Sequence, residues 1–343
     1  MADHSPEATP LIGESPAFLS MLEHVSRAAK LNKPVLVIGE RGTGKELVAA
    51  RLHFLSPRWD QPLVKLNCAA LTESLLESEL FGHEAGAFTG ASQRHIGRFE
   101  RAEGGTLFLD ELATVPPRMQ EKILRVIEYG EFERVGGSET LRADVRIVAA
   151  TNEDLPQMAN RGEFRSDLLD RLAFDVITVP PLRARTGDIR PLADHFAVTI
   201  TSELRRPFFA GFSEEALAAL QDHEWPGNVR ELKNAVERSV YLGLPDAPVE
   251  KIVFDPFESP YRLGAAESPP SGRQSPTWPV DLKAEVRDLE RTRIQQALAD
   301  HGYHQGRAAS ALQLSYHQLR SYLRKHKIAG RRGDPKTALA EKR

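Results

Sequence analysis

The chain has 343 residues, 41% apolar, 27% charged and 7% aromatic, which supports buried cores in two or three domains and excludes a disordered chain. Its one cysteine, Cys68, excludes a disulfide framework and a cysteine-clustered zinc site, and fits a reducing compartment. The net charge of −3 conceals an asymmetry, because residues 281–343 hold 14 Lys and Arg against 7 Asp and Glu, and the rest of the chain holds 31 against 41. A basic end behind an acidic body points to a polyanionic partner, although charge alone fits a solvated helix face equally well.

In chain order, residues 1–10 form a short extension with no Lys or Arg and no apolar run, unlike a secretory signal. No apolar stretch approaches the roughly 20 residues that span a bilayer, so a cytoplasmic protein without membrane insertion is expected. Residues 11–185 then alternate apolar runs with helical patterns. The runs are 35–38, 63–66, 106–109, 145–149 and 176–179. They predict a parallel, doubly wound five-stranded sheet, whose ligands bind beyond the carboxyl ends of the strands.

The first run is followed by Gly39, Glu40, Arg41, Gly42, Thr43, Gly44 and Lys45, a P-loop between a strand and a helix. Its backbone N–H groups and helix N-terminus suit phosphates, and Lys45 supplies the charge. Glu46 stands where Ser or Thr would offer a hydroxyl to Mg²⁺. The third run ends in Asp110 and Glu111, placed to hold Mg²⁺ and to polarise an attacking water. Asn67 closes the second run and Thr151–Asn152 follow the fourth. These residues together predict a bound nucleotide with Mg²⁺, which the resemblance given below implies is ATP.

Between the second and third runs lies Gly86, Ala87, Phe88, Thr89, Gly90 and Ala91. A segment of small residues around one aromatic and one hydroxyl holds no regular structure of its own. It suits a surface loop presenting Phe88, and by composition alone a buried turn equally well. Residues 186–255 lose the strand signal and predict a small helical domain, with Ser213 as an N-cap and one helix over 228–242. Twelve of the 25 residues at 256–280 are Pro, Ser or Gly, which makes a linker.

Residues 281–328 predict three helices and 329–343 a basic, disordered tail. The first helix carries Leu282, Val286, Leu289, Ile294 and Leu298. The other two, over 305–312 and 316–325, read as a helix-turn-helix with Ser315 as N-cap. Tyr316, His317, Gln318, Arg320, Ser321, Arg324 and Lys325 are then the DNA-facing set. Cys68 reads as a buried apolar filler, His53, His83 and His95 lack ligand spacing, and Arg183 and Arg185 read as ordering a loop.

The P-loop, the Asp110–Glu111 pair and Thr151–Asn152 resemble the AAA+ ATPases. That resemblance makes Asn152 a sensor beside the γ-phosphate, Arg165 and Arg171 fingers reaching a neighbouring subunit's nucleotide, and Arg230 a second sensor in a helical lid. The hexapeptide at 86–91 is the signature of the bacterial enhancer-binding proteins, the activators of sigma-54 RNA polymerase. In that family the loop contacts sigma-54, Arg134 and Val135 belong to a supporting loop, Asn67 restrains the catalytic glutamate, and Glu46 is the usual residue. The C-terminal unit resembles a Fis-type domain, whose long first helix dimerises. The short N-terminus and the core wording resemble the phage-shock branch, whose members are held inactive by phage shock protein A, with Trp59 as the matching inhibitor contact. The resemblance therefore implies a hexameric ATPase that binds enhancer DNA and remodels sigma-54 polymerase. A DNA-binding regulator with a vestigial ATPase, acting by occupancy, is the alternative.

Overall fold

The computed structural model describes residues 10–258, 282–326 and 328. Residues 1–9 of the N-terminal extension, the linker from 259 onward and the tail at 329–343 lie outside the described residues. The chain divides into two units, Met1–Glu258 and Ser259–Arg343.

In the first unit the five expected strands form one parallel sheet. They are β1 (Val35–Ile38), β2 (Leu63–Asn67), β3 (Thr106–Asp110), β6 (Arg146–Thr151) and β7 (Asp175–Thr178), in the order β2-β3-β6-β1-β7. The central strand β6 is buried along its whole length, as a parallel strand covered on both faces must be. Its start and end fall at Arg146 and Thr151, so Thr151 completes the strand instead of following it.

The period of two along each strand divides the core. Leu36, Leu66, Leu107, Leu109, Ile147 and Ala149 pack on one face with Leu76, Leu80, Phe81, Met119 and Ile123. Val35, Val37, Phe108, Val148, Ala150 and Ile177 pack on the other with Phe18, Met21, Val25, Val48 and Leu52. The covering helices are α1 (Pro16–Ala29), α2 (Lys45–Phe54), α3 (Glu73–Phe81), α4 (Arg98–Arg101), α5 (Pro117–Tyr129), α6 (Leu155–Asn160) and α7 (Ser166–Leu172). A short antiparallel hairpin, β4 (Glu131–Glu133) and β5 (Thr140–Arg142), escaped the sequence reading because strands of three residues carry no periodic signal. It sends Phe132 into the core.

The helical lid contains α8 (Ile189–Glu203), α9 (Glu214–Asp222) and α10 (Asn228–Leu242). Ser213 caps α9 as expected, accepting from the Ala216 amide at 3.2 Å. The lid core closes on Trp225, which is fully buried and donates its indole N–H to the Leu220 carbonyl at 2.9 Å.

The second unit holds α11 (Leu282–Asp300), α12 (Gln305–Ala311) and α13 (Tyr316–Lys325). Ile294, Leu298, Ala308, Ala309, Leu319 and Leu323 form its core. Ser315 caps α13 in a reciprocal box with Gln318. Leu282, Val286 and Leu289 of α11 are exposed. Among the described residues no helix is long and apolar enough to cross a membrane.

Candidate nucleotide site and partner loops

The turn from β1 into α2 wraps around a buried lysine. Lys45 Nζ donates to the carbonyls of Gly39 at 2.9 Å and Glu40 at 3.2 Å, and Thr43 Oγ1 donates to the Glu40 carbonyl at 2.8 Å. Gly42 and Gly44 take φ of +77° and +97°, the region glycine enters without strain. At Gly42 a Cβ would lie 2.3 Å from the Gly227 carbonyl, so the lid start and the P-loop touch there. Burial pushes the Lys45 ammonium below its ordinary pKa, opposed by the charges of Glu111 and Asp110, which places all three groups in one electrostatic site. Glu46 points elsewhere, accepting from Lys65 at 2.9 Å.

Asp110 ends β3 with one oxygen accepting from the Glu111 amide at 3.0 Å. Glu111 sits in a left-handed turn at φ +52°, a conformation non-glycine residues adopt mainly where structure or function over-determines it. Asn67 lies in register with Asp110, and its side chain accepts from the Ala69 amide at 2.9 Å; no hydrogen bond joins it to Glu111. Asn152 follows β6, donates to Glu153 at 3.1 Å, and keeps a buried Oδ1 with no partner. A buried orphan acceptor is costly unless something fills the site. The expected residues thus converge at the carboxyl ends of β1, β3 and β6, with Asn67 at the end of the neighbouring β2.

The structure adds an apolar cleft that the sequence did not reveal. Leu11, Ile12, Phe18, Leu47, Val179 and Phe196 line it, and Thr43 and Gly44 of the P-loop form one wall. Its residues come from five separated segments, so no local pattern announces it. Arg230 binds the P-loop from the lid through its backbone, donating to the Gly42 carbonyl at 3.3 Å. Beside it, Asn228 and Arg183 hold Glu40. Those hydrogen bonds bring the Glu40 carboxyl down to about 2.

Each candidate finger is tied to a carboxylate outside this site. Arg165 donates to Asp167 at 2.6 Å, and Arg171 donates to Glu128 at 2.7 Å. Arg171 lines a cavity of about 520 Å³ with Pro34, Arg146 and Phe174, at the amino ends of β1, β6 and β7 and therefore opposite the chain's own P-loop. Both pairs are exposed, and such ion pairs are worth ~0–1 kcal/mol, so little energy holds either guanidinium in place.

The glycine-flanked hexapeptide is an exposed loop, which excludes the buried turn. Gly86 donates to the Ala91 carbonyl at 2.7 Å and Ala91 donates to the Phe88 carbonyl at 3.0 Å. Gly86 and Gly90 have φ of +83° and +103°. Phe88 remains 45% exposed, its ring edge-to-face with His83 at 4.9 Å. At the loop's base Val135 donates to the Gly82 carbonyl at 3.0 Å and accepts from the Glu84 amide at 3.1 Å. Arg134 is buried and donates to Glu84 at 2.7 Å and to Glu100 at 2.6 Å. Its hydrogen bonds with Glu100 and then Glu84 outweigh burial and raise its pKa. Arg134 therefore clasps the two loops from beneath.

Trp59 is exposed, as its polar neighbours imply, and Phe54 and Leu55 are exposed nearby in sequence. Cys68 is buried, and burial, with the charges of Asp110 and Glu111, pushes its thiol up to about 12. On α13, Tyr316, His317, Arg320, Ser321 and Arg324 are exposed, with the Arg320 guanidinium 5.9 Å from the centre of the Tyr316 ring. Gln318 is engaged in the cap, and Lys325 is ion-paired with Glu290 at 2.8 Å.

Comparison with known proteins agrees with this geometry. Residues 11–178 match the sigma-54 interaction domain, 183–253 the AAA+ ATPase lid domain and 285–326 the Fis family of bacterial regulatory proteins. The Psp operon transcriptional activator of Escherichia coli is 58% identical over 93% of this chain and 98% of its own length. A Nif-specific regulatory protein of Azotobacter vinelandii is 46% identical over 90% of this chain and 57% of its own. Among solved structures, NtrX from Brucella abortus in complex with ATP superposes with a TM-score of 0.66 and 32% identity, covering 93% of this chain and 70% of that one. A P-loop, an exposed glycine-flanked loop and a helix-turn-helix thus occur together in a chain that belongs to the AAA+ ATPases activating sigma-54-dependent transcription.

Proposed function

We propose that this activator binds enhancer DNA, assembles as a hexameric ring, and uses ATP hydrolysis to convert closed sigma-54 polymerase complexes into open ones. The observation that carries this reading is the connectivity of the site. The chain leaving Asn67 runs through α3 into the 86–91 loop, and the chain leaving Glu111 runs through α5 and β4 into Arg134 and Val135. Both outlets of the catalytic edge therefore end in the two loops that Arg134 joins.

The base of ATP occupies the apolar cleft, and its phosphates meet the P-loop amides and Lys45. Glu111 takes a proton from the water that attacks the terminal phosphorus, and ADP leaves with the bridging oxygen. Asn152, which follows β6, is the sensor for the terminal phosphate. Asp110 keeps one oxygen clear of the Glu111 amide, and no cluster of three acidic, His or Cys side chains holds a metal among the described residues. That donor set fits Mg²⁺, which takes few carboxylates and shares substrate phosphates; when bound it neutralises phosphate charge. Arg165 and Arg171, each paired with a carboxylate outside the P-loop, serve the neighbour's nucleotide, which makes turnover depend on assembly. The exposed face of Leu282, Val286 and Leu289 supplies a dimer contact for the DNA-binding unit, and Trp59 is the contact for an inhibitor of the phage shock protein A type.

In vitro transcription from a sigma-54 promoter tests the reading. Thr89→Ala should keep ATP turnover and lose open-complex formation. Full transcription by that variant would remove the loop from the mechanism.

A further inference from the structure

Where the lid joins the sheet domain, the structure buries a charged pair that the proposed chemistry does not use. Asp188 is fully buried. It accepts from the Glu14 amide at 2.7 Å and from the Ser15 amide and hydroxyl at 2.8 Å each. It thus fixes the segment leading into α1. A Cβ on Gly13 would lie 2.8 Å from the Asp188 carboxylate and 2.5 Å from the Phe18 ring, so the segment passes with no space to spare. Arg185 is 3% exposed and its guanidinium lies 5.1 Å from the centre of the Phe18 ring. One terminal nitrogen is 4.0 Å from Asp188, and another donates to the carbonyl of Thr43 at 3.3 Å.

That last contact reaches the phosphate loop. Across a trans peptide the carbonyl of one residue and the N–H of the next point in opposite directions. Holding the Thr43 carbonyl toward the lid junction therefore turns the Gly44 N–H away from it. Gly44 is the N-cap of α2, left-handed at φ +97°, and a backbone N–H at such a terminus is a phosphate donor. A loop with two glycines at positive φ has no stiffness of its own to hold that peptide plane.

We infer that Arg185, braced by Asp188 and Phe18, is a positioning residue that sets the Thr43–Gly44 peptide so that the Gly44 N–H faces the nucleotide's phosphates. The inference rests on the nucleotide-site reading above and adds a dependence of phosphate affinity on the lid junction. Arg185 touches no phosphate in this scheme. Its burial costs hydration, and the pull of Asp188 only partly offsets the depression of its pKa; the positioned peptide is the return.

The test is calorimetric titration of the full chain with ADP and with adenosine. Arg185→Met keeps an unbranched apolar stem and removes the donors; Arg185→Lys restores a cationic N–H donor group. ADP affinity should fall about tenfold in the Met variant, the size of one lost hydrogen bond to a charged group, and recover toward wild type in the Lys variant; adenosine, whose base cleft Arg185 also lines, should lose clearly less than ADP in both. Equal losses for ADP and adenosine, or an unchanged ADP affinity in Arg185→Met, would overturn the inference. Lys45→Ala is the control on the site itself: wild-type ADP affinity there would refute the P-loop reading and not merely the role of Arg185. If the Met protein does not fold, a wild-type ADP complex structure decides. Gly44 N within hydrogen-bond distance of a phosphate oxygen, with Arg185 still on the Thr43 carbonyl, upholds the inference; either contact missing overturns it.

Discussion

Glu40 illustrates how a side chain can look like loop filler in sequence and prove to be a junction in space. It sits inside the P-loop, yet its partners Arg183 and Asn228 come from the lid side. Its carboxyl is held at about 2 against an ordinary 4.5. A depressed carboxyl stabilises the fold above its unfolded pKa, and that contribution is lost as pH falls through the folded value. The stability gap between wild type and Glu40→Gln should therefore be constant above pH 4.5 and close as pH falls toward about 2, measured as urea midpoints across that range. Lys45→Ala should abolish ATP turnover and leave DNA binding by the helix-turn-helix unit intact, checked by phosphate release and by a mobility-shift assay. Lys45 was legible because its loop is contiguous and its glycines announce the turn. Arg134 and Arg185 were not read as buried, since a charged residue reads as surface until the fold supplies carboxylates or carbonyls to meet it.

Among the elements, legibility followed the length of the repeating signal. The runs at 35–38 and 107–109 name their strands because both faces of a parallel sheet are covered, so their positions are apolar on both faces. The hairpin at 131–142 and the cleft around Leu11 and Phe196 depend on three-residue strands and on segments far apart in the chain. In the lid, Trp225 fills the centre of the core at a φ of +52°, and its replacement by Ala should cost about 3–5 kcal/mol, read as a lowered denaturant midpoint of the ATPase unit. On α13, Ser315→Ala removes the side-chain half of the capping box, the acceptor for the Gln318 amide, and should cost ~1 kcal/mol, seen as faster amide exchange along that helix in the full chain.

For the molecule as a whole, the basic balance of residues 281–343 and their match to the Fis family make the second unit the one to test for DNA. If α13 and its neighbours neutralise several phosphates, log affinity for DNA should fall with log salt at a slope of about −0.9 per phosphate contacted. A flat titration would refute electrostatic docking. The thiol of Cys68 is buried beneath the catalytic edge and is the chain's one sulfhydryl. Since thiolate, not thiol, reacts with electrophiles, the native protein should ignore maleimides at neutral pH. A fluorophore attached to a cysteine introduced at Ser92, on the exposed rim of the loop, would then be the single optical reporter on the molecule, with no background to remove.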